Sequence, residues 1–267
     1  MANLSISPNP KISFKLRHED SDVIVVDKPS RLVTQPGKGH EDDTLLNGLF
    51  AKYGDLLQNL GRSRDFGLLH RLDRQTSGLL IVALKSRAYD ALREQFEARQ
   101  IKKFYWAVAS KPPKKLSGVI RRPLIEEVDD KKTSRISPAG KPAVTAYRVL
   151  ARSAVGDGHA TLVECRPVTG RLHQVRVHLD SIGCPILGDD IYGPKSLMRA
   201  SSRLALHAHR VVFKHPTTGE VVDVRSPWPG DLESLLKRLK IKKPIPGESV
   251  IESGHEVGGD GVGDEES

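Results

Sequence analysis

The chain has few of the features that mark secreted or membrane proteins. Its 267 residues include only two cysteines, Cys165 and Cys184, which form no CxxC pair and no disulfide framework. No apolar run approaches the ~20 residues that a transmembrane helix needs. The N-terminal segment MANLSISPNPKISFKLRHED lacks the apolar stretch of a signal peptide. We therefore expect a soluble, cytoplasmic protein with reduced cysteines and no membrane partner.

Motifs for nucleotide cofactors, serine hydrolysis and metal binding are also missing from the sequence. The glycines form neither a GxGxxG fingerprint nor a Walker loop, and there is no GxSxG. No histidine belongs to an HExxH or a Cys/His zinc pattern. We therefore expect no metal site and no nucleotide cofactor. The histidines weighed for a metal site are His70, His173, His178, His207 and His209.

Positive charge is what the chain has in excess. Its 42 basic and 33 acidic residues give a net charge of +9. Seven of the acidic residues and none of the basic ones lie after position 244, so residues 1–244 carry 42 basic against 26 acidic residues, or +16. A basic body of this size favours a polyanionic partner, because neutralising phosphates releases counterions. Charge that only aids solubility is the alternative, and composition leaves that choice open.

Short apolar runs predict a series of strands with few helices between them. Such a series is typical of the α+β class, so we expect a mixed, largely antiparallel sheet flanked by helices and loops. The strands are predicted at 22–30, 77–84, 103–110, 145–152 and 159–166, and in a hairpin of 203–213 and 220–226 around HPTTG.

Four helices are predicted from apolar spacing and capping residues. The first, over 42–60, has Asp43 or Thr44 as its cap and an apolar face that includes Leu56. The second is capped by Ser86 and runs to Arg99. The third covers 171–183, with a Thr169 cap and a Gly183 end, and the last covers 230–240.

The flanking segments differ from this body in composition. Residues 1–20 are polar and broken by proline, which predicts a partly ordered lead-in. Residues 111–142 are rich in Lys, Pro, Ser and Gly and predict a basic excursion. Residues 244–267 are acidic and Gly-rich, which predicts a disordered tail.

Two segments concentrate residues that can carry chemistry. In GLLHRLDRQTSGLLIVAL, Arg71, Asp73 and Arg74 lie between apolar runs, where a loop entering a buried strand presents reactive groups. The alternative is that Asp73 merely pairs with a neighbouring arginine. In RPVTGRLHQVRVHLDSIGCPILGDDIYG, a helix beginning near Gly170 would direct Arg, Gln and His side chains to phosphates and base edges. A solvated basic helix is the alternative there, and we favour it for the histidines taken singly.

These two segments also carry a family resemblance. HRLDRQTSGLLIVAL closely resembles the HRLD-x-x-TSG signature of RluA-type RNA pseudouridine synthases, and TGRLHQVRVHL with the following GDDIYG resembles that family's second long motif. DVIVVDKPSRL, KKFYWAV and ALHAHRVVFKHPTTGE resemble further family segments in the same order. The likeness covers roughly residues 20–230. It implies a pseudouridine synthase fold, with one catalytic domain at residues 21–243.

The resemblance also implies an activity and a set of residues. Asp73 matches the nucleophile, Tyr105 the tyrosine that stacks on the target base, and Arg176 the basic partner of the aspartate, with Arg171 as the alternative. Arg71 is similar to the arginine that fills the gap left by a flipped nucleotide. The substrate would be ribosomal or transfer RNA, with no cofactor, and we expect a monomer. The other residues expected to bind RNA are Arg74, Arg171, His173 and Gln174.

Two rival functions remain open at this point. A catalytically idle RNA-binding protein could use the same scaffold, because fold alone does not guarantee activity. A uracil-directed hydrolase would cleave the glycosidic bond without rejoining it and would release free uracil. The set of Asp73, Tyr105 and Arg176 favours the synthase over an idle binder, which has little use for all three.

Overall fold

The computed structural model describes residues 4–128, 132–153, 155 and 160–245. The predicted acidic tail therefore lies outside the described residues from position 246 onward. Eleven strands are present in the described part of the chain. They are β1 Lys15–Glu19, β2 Val23–Lys28, β3 Ser77–Ala83, β4 Lys102–Ala109, β5 Ser117–Arg121, β6 Leu124–Val128, β7 Lys132–Ile136, β8 Val144–Arg152, β9 Thr161–Pro167, β10 Leu206–Lys214 and β11 Val221–Arg225.

Nine of these strands form one sheet in the order β1-β2-β3-β10-β4-β9-β8-β5, with β11 paired to β10. The pairing of β10 with β3 is parallel and the other pairings are antiparallel. The predicted α+β class with a mixed, largely antiparallel sheet is confirmed. The parallel contact depends on Gly78, because a Cβ at this position would lie 2.2 Å from the carbonyl oxygen of Ala208.

The middle of this sheet forms the hydrophobic core. Every residue of β3 is buried, as the continuous apolar run SGLLIVA predicts for a strand covered on both faces. On one side of the chain's core lies α1, whose buried face includes Leu45, Leu49 and Leu57. No helix within the described ranges is both long and apolar enough to cross a membrane.

The helices are α1 Leu45–Leu60, α2 Ser86–Glu97, α3 Gln174–Ser181 and α4 Glu233–Leu239, and short 3-10 helices cover Arg62–Gly67, Lys195–Ala200 and Gly230–Leu232. The predicted cap of α1 is confirmed, since the Thr44 side chain accepts from the backbone N–H of Asn47. The prediction that Leu56 belongs to the apolar face of this helix is wrong, because its side chain is 43% exposed and lies off the buried face. The prediction that Ser86 caps α2 is also wrong, since Ser86 is the first residue of the helix and Lys85 takes the cap position.

Two segments have more structure than their composition indicates. The predicted lead-in contains β1, which pairs with β2 along the edge of the sheet. The predicted basic excursion contains β5, which extends the main sheet, and the separate hairpin of β6 and β7. That hairpin packs on α3, where Leu124 and Ile136 meet Val177 and Tyr192. The hairpin therefore packs beside the second sequence motif, the segment that contains α3.

Candidate active site

The loop that carries Asp73 leads directly into β3 and is tied to the segment after β2 on both sides of the aspartate. The hydroxyl of Thr34 donates to the carbonyl oxygen of Leu72 at 2.8 Å. The hydroxyl of Ser30 donates to the carbonyl oxygen of Gln75 at 2.7 Å. These bonds fix the backbone before and after Asp73, so the fold sets where its carboxylate lies.

Lys28, at the end of β2, also holds the Asp73 loop against the segment after β2. Its fully buried Nζ donates to the carbonyl oxygens of Pro29 at 2.9 Å and Leu32 at 2.7 Å, and that of Arg74 lies at 3.5 Å. Burial lowers the pKa of Lys28 to about 7, although the nearby charge of Asp73 opposes this shift. The sequence indicated the strand that ends at Lys28 but gave no signal of this role.

A cleft of about 540 Å³ opens beside the Asp73 loop. This volume lies within the ~300–1,000 Å³ typical of ligand pockets. The side chain of Asp73 is 26% exposed, so its carboxylate is accessible from the cleft. Arg74, by contrast, does not line the cleft, and its Nε lies 3.4 Å from the carbonyl oxygen of Arg31. The predicted site residues that line the cleft are Asp73, Tyr105, Arg176, Arg71, Arg171, His173 and Gln174.

Arg176 projects from α3 toward Asp73 and is 2% exposed. Its Nη1 lies 3.8 Å from Oδ2 of Asp73. Its Nε and Nη2 donate to the two oxygens of Asp189 at 2.8 and 2.6 Å, and Nη2 also lies 3.3 Å from Asp190. Burial works against the charge, but the hydrogen bonds that Arg176 donates to Asp189 outweigh it and raise the pKa of Arg176. The guanidinium is thus a permanent cation beside the carboxylate.

Tyr105 lies in the middle of β4, between Cys165 of β9 and Ala208 of β10. Its side chain is buried and borders the same cleft as Asp73. Burial raises the pKa of Tyr105, and the negative charge of Asp73 raises it further. The phenol is therefore neutral over the physiological pH range.

His173 approaches the carboxylate oxygen of Asp73 that Arg176 does not. Its Nε2 is 3.8 Å from Oδ1 of Asp73, and its Nδ1 is 2.9 Å from the hydroxyl oxygen of Tyr192. The backbone of His173 is left-handed, with φ of 53°, which is uncommon for a residue other than glycine. The sequence predicted an RNA contact for His173, and the structure places it against the candidate nucleophile.

Gln174 has a different place from the one predicted. Its Oε1 accepts from the Thr169 hydroxyl at 2.7 Å and the backbone N–H of Arg171 at 3.0 Å, and its Nε2 donates to Val144 and Thr145, both at 2.9 Å. All four hydrogen-bonding positions of the amide have partners within the protein, so Gln174 supports the fold, and its contact with RNA stays a prediction. The predicted Thr169 cap of α3 is also wrong, because α3 begins at Gln174 and His173 takes the cap position.

The remaining predicted arginines differ in exposure. Arg71 is exposed at the cleft, next to Asp73 in the same loop. Arg171 is half-buried, and its Nε donates to the carbonyl oxygen of Pro142 at 3.2 Å. Arg171 therefore reaches the cleft wall, while the position against Asp73 is taken by Arg176.

Lys103 is a cleft residue that the sequence reasoning missed. It lies two residues before Tyr105, so the period of two along a strand puts both side chains on one face of β4. Its half-buried Nζ lies 5.3 Å from the ring centre of Phe96. Burial lowers the pKa of Lys103 to about 8. No hydrogen bond or ion pair holds its ammonium within the described part of the chain.

A group of potential metal ligands lies elsewhere, at Asp20, Asp22 and His215. The Nδ1 of His215 accepts from the backbone N–H groups of Thr217 and Thr218 at 3.2 and 3.1 Å. The ring proton therefore sits on Nε2, which donates to Asp20 at 3.1 Å. This tautomer makes His215 a hydrogen-bond donor and occupies the nitrogen that would bind a metal.

Comparison with known proteins identifies the family of the chain. The profile of the RNA pseudouridylate synthase family matches residues 22–181, which include Asp73, Tyr105 and Arg176. The chain belongs to this family. An RNA pseudouridine synthase of Bacillus subtilis is 40% identical over 229 residues, covering 86% of this chain and 74% of that protein. Ribosomal large subunit pseudouridine synthase D of Haemophilus ducreyi is 35% identical over 241 residues, covering 86% and 71%.

Solved structures of the family share the fold. The human RNA pseudouridylate synthase domain containing 4 aligns with a TM-score of 0.63 and 27% identity, and covers 86% of this chain and 94% of that chain. The resemblance predicted from the sequence motifs is confirmed, as is the enzyme class, an RNA pseudouridine synthase. The family match ends at Ser181, before Asp189 and Tyr192, which complete the surroundings of Arg176 and His173.

Proposed function

We propose that this chain converts specific uridines of ribosomal or transfer RNA to pseudouridine, with Asp73 as the nucleophile. The observation that carries the proposal is the pairing of Asp73, accessible from a deep cleft, with Arg176, a buried cation held by Asp189. The buried guanidinium lies 3.8 Å from the carboxylate that must attack. Tyr105 borders the same cleft.

The reaction rearranges bonds within one nucleotide. The bond between N1 of uracil and C1′ of ribose breaks, and a bond between C5 and C1′ forms. The proton on C5 is lost and N1 gains one, so there is no net oxidation or reduction. Asp73 forms a covalent adduct with either the anomeric carbon or the base, and leaves again as a carboxylate. Protein side chains suffice for these steps, and we propose no cofactor.

Access to the glycosidic bond requires that the target nucleotide leave its stack. Flipping costs a few kcal/mol and is repaid inside a fitted pocket. We propose that the Tyr105 ring stacks on the flipped uracil and that Arg71, exposed at the cleft mouth, fills the space the base leaves. Arg171 at the cleft wall supplies charge for the backbone phosphates.

Large-subunit ribosomal RNA is the first substrate to test. The net charge of +9 suits a polyanion of any sequence, so charge does not choose between RNA classes. Several relatives at 35–38% identity are named ribosomal large subunit pseudouridine synthase D. The names of these relatives favour ribosomal RNA over transfer RNA as the substrate that we propose for this chain.

The test uses RNA carrying tritium on C5 of uridine, since joining C5 to ribose must release that hydrogen to water. Wild type and Asp73→Asn are incubated with ribosomal and transfer RNA fractions, and free uracil is measured in parallel. Release by wild type alone, without free uracil, supports the proposal and names the RNA class. Free uracil would indicate a hydrolase. RNA binding without release from any fraction, including RNA from ribosome assembly intermediates, would indicate an idle scaffold.

A further inference from the structure

Tyr192 connects three parts of the site. Its hydroxyl oxygen accepts from the backbone N–H of Ser134, on the β6–β7 hairpin, at 2.9 Å. The same oxygen lies 2.9 Å from Nδ1 of His173. Its ring lies under the guanidinium of Arg176, 5.1 Å from ring centre to Cζ. Tyr192 thus contacts both groups that face Asp73.

These contacts indicate the tautomer of His173. A phenol has one proton, and the oxygen of Tyr192 already accepts the N–H of Ser134. Among the described residues, Nδ1 of His173 is the acceptor within reach of that phenol proton. Nδ1 therefore accepts, and the ring proton sits on Nε2. Burial lowers the pKa of His173, which agrees with a neutral ring.

The Nε2–H of His173 then points at Oδ1 of Asp73, while Nη1 of Arg176 faces Oδ2, both at 3.8 Å. Each carboxylate oxygen has a donor of its own. A separation of 3.8 Å is longer than a hydrogen bond, so the lone pairs of Asp73 remain available for attack. Catalytic contacts of this kind shorten when charge develops in the reacting complex.

We propose that His173 is a second donor to Asp73, and that Tyr192 is the positioning residue that directs the His173 Nε2–H toward it. This inference rests on the proposed role of Asp73 as nucleophile. The donor acts when the carboxylate leaves the covalent adduct, because a preorganised N–H stabilises the negative charge that returns to Oδ1. The left-handed backbone at His173 aims the ring at this position.

Three substitutions separate the donor from the backbone. His173→Gln places an N–H near the Nε2 position of the histidine but adopts the left-handed conformation poorly. His173→Asn adopts that conformation well but has a side chain too short to reach Asp73. Tyr192→Phe keeps the ring under Arg176 and removes only the hydroxyl. A donor role predicts that His173→Gln is faster than His173→Asn, and a purely conformational role predicts the reverse.

The rates are measured as tritium release in a single turnover at saturating RNA, with RNA affinity and Tm measured alongside. We expect His173→Asn to be slower than wild type by about 100-fold. We expect Tyr192→Phe to be slower by about 10-fold, as for other partners that orient an imidazole. RNA affinity should change much less than the rate, and His173→Gln should recover much of the rate. A wild-type rate in His173→Asn, or His173→Asn faster than His173→Gln, overturns the proposal.

A second measurement does not depend on activity. The ¹⁵N chemical shifts of the His173 ring in the full chain report which nitrogen carries the proton. We expect a protonated Nε2 and an unprotonated Nδ1 in wild type, and a mixture of tautomers in Tyr192→Phe. A protonated Nδ1 in wild type would overturn the inference. If wild type releases no tritium while this tautomer is observed, the proposed function fails and the assignment of the tautomer stands.

Discussion

Nη1 of Arg176 lies 3.8 Å from Oδ2 of Asp73, although Arg176 is the buried member of the pair. The guanidinium is held from behind by its two bonds to Asp189, so its place does not depend on Asp73. Asp73 can therefore lose its charge in a covalent adduct without releasing Arg176. The same arrangement makes the Arg176–Asp189 pair important for stability as well as for chemistry.

Asp189→Asn should reduce both stability and turnover. The substitution removes the anion that accepts two hydrogen bonds from the buried guanidinium and leaves the more distant Asp190 and Asp73, so the cost should approach the ~3–5 kcal/mol of a broken buried pair. Urea unfolding measures the free energy, and tritium release measures turnover. Arg64→Gln is the control, because its pair with Asp90, at 2.9 Å, is solvent-accessible and should change the free energy of unfolding little. Equal stability of Asp189→Asn and wild type would contradict the prediction.

Tyr105→Phe should separate binding from chemistry. Phe keeps the ring that stacks on the base, so RNA affinity should persist, while loss of the hydroxyl should slow a single turnover by about 100-fold if it moves a proton. Tyr105→Leu should also weaken binding, because a base–aromatic stack contributes about 1–3 kcal/mol. Burial raises the pKa of Tyr105 above its ordinary 10.0, so the wild-type rate should show no tyrosine ionisation below that pH. A full rate in Tyr105→Phe would assign the residue to stacking alone.

RNA affinity should fall as the pH rises through the pKa of Lys103, about 8. Below that pH the ammonium of Lys103 is charged and attracts phosphate, and above it the charge is lost. A bound phosphate favours the charged form, so the midpoint of this titration should be higher in the RNA complex. Lys103→Met should bind roughly 10-fold more weakly at pH 7, since a charge-assisted bond contributes about 1.5–3 kcal/mol. Lys102→Met is the control on the exposed face of β4. Identical pH profiles for wild type and Lys103→Met would refute a phosphate contact.

Much of the fold follows from local patterns in the sequence. The all-apolar run of β3, the alternating strands and the HPTTG hairpin are each specified by residues close together in the chain, and the structure has them in place. The start of α3 is different. Thr169 bonds to the Gln174 side chain and to the backbone of Val144, so a tertiary network, not a local cap, decides where the helix begins.

The residues of the site also differ in whether local sequence or tertiary packing determines them. Motif resemblance located Asp73, Tyr105 and Arg176, whose proximity the structure reports and whose roles stay predictions. Lys103 could have been found from the strand period it shares with Tyr105. Tyr192 could not, since its contacts depend on how α3 and the β6–β7 hairpin pack. The domain boundaries, the monomeric state and the cytoplasmic location also stay predictions.

Lys28 should make stability depend on pH above neutrality. Burial lowers its pKa in the folded chain to about 7 from 10.5, so between these values the unfolded chain binds more protons. Stability from this group therefore rises with pH across that window. The difference in unfolding free energy between wild type and Lys28→Met isolates the effect, and should shift in favour of wild type from pH 7 to pH 10. A difference that is constant with pH would mean that Lys28 is charged throughout.

Arg71→Gln should reduce the salt dependence of RNA binding. Each phosphate contact contributes about 0.7 to the slope of log K against log salt for single strands and about 0.9 for duplexes. An Arg71 guanidinium that fills the space left by the flipped base still lies among the RNA phosphates, so removing its charge should lower the slope by up to about one contact. Lys52→Gln is the control, because it removes one positive charge from α1. Lys52 does not line the cleft, and its Nζ lies 3.6 Å from the Glu19 carboxylate. If both variants lower the slope equally, the attraction is a property of the whole basic body; if only Arg71→Gln does, RNA is gripped at the cleft beside Asp73.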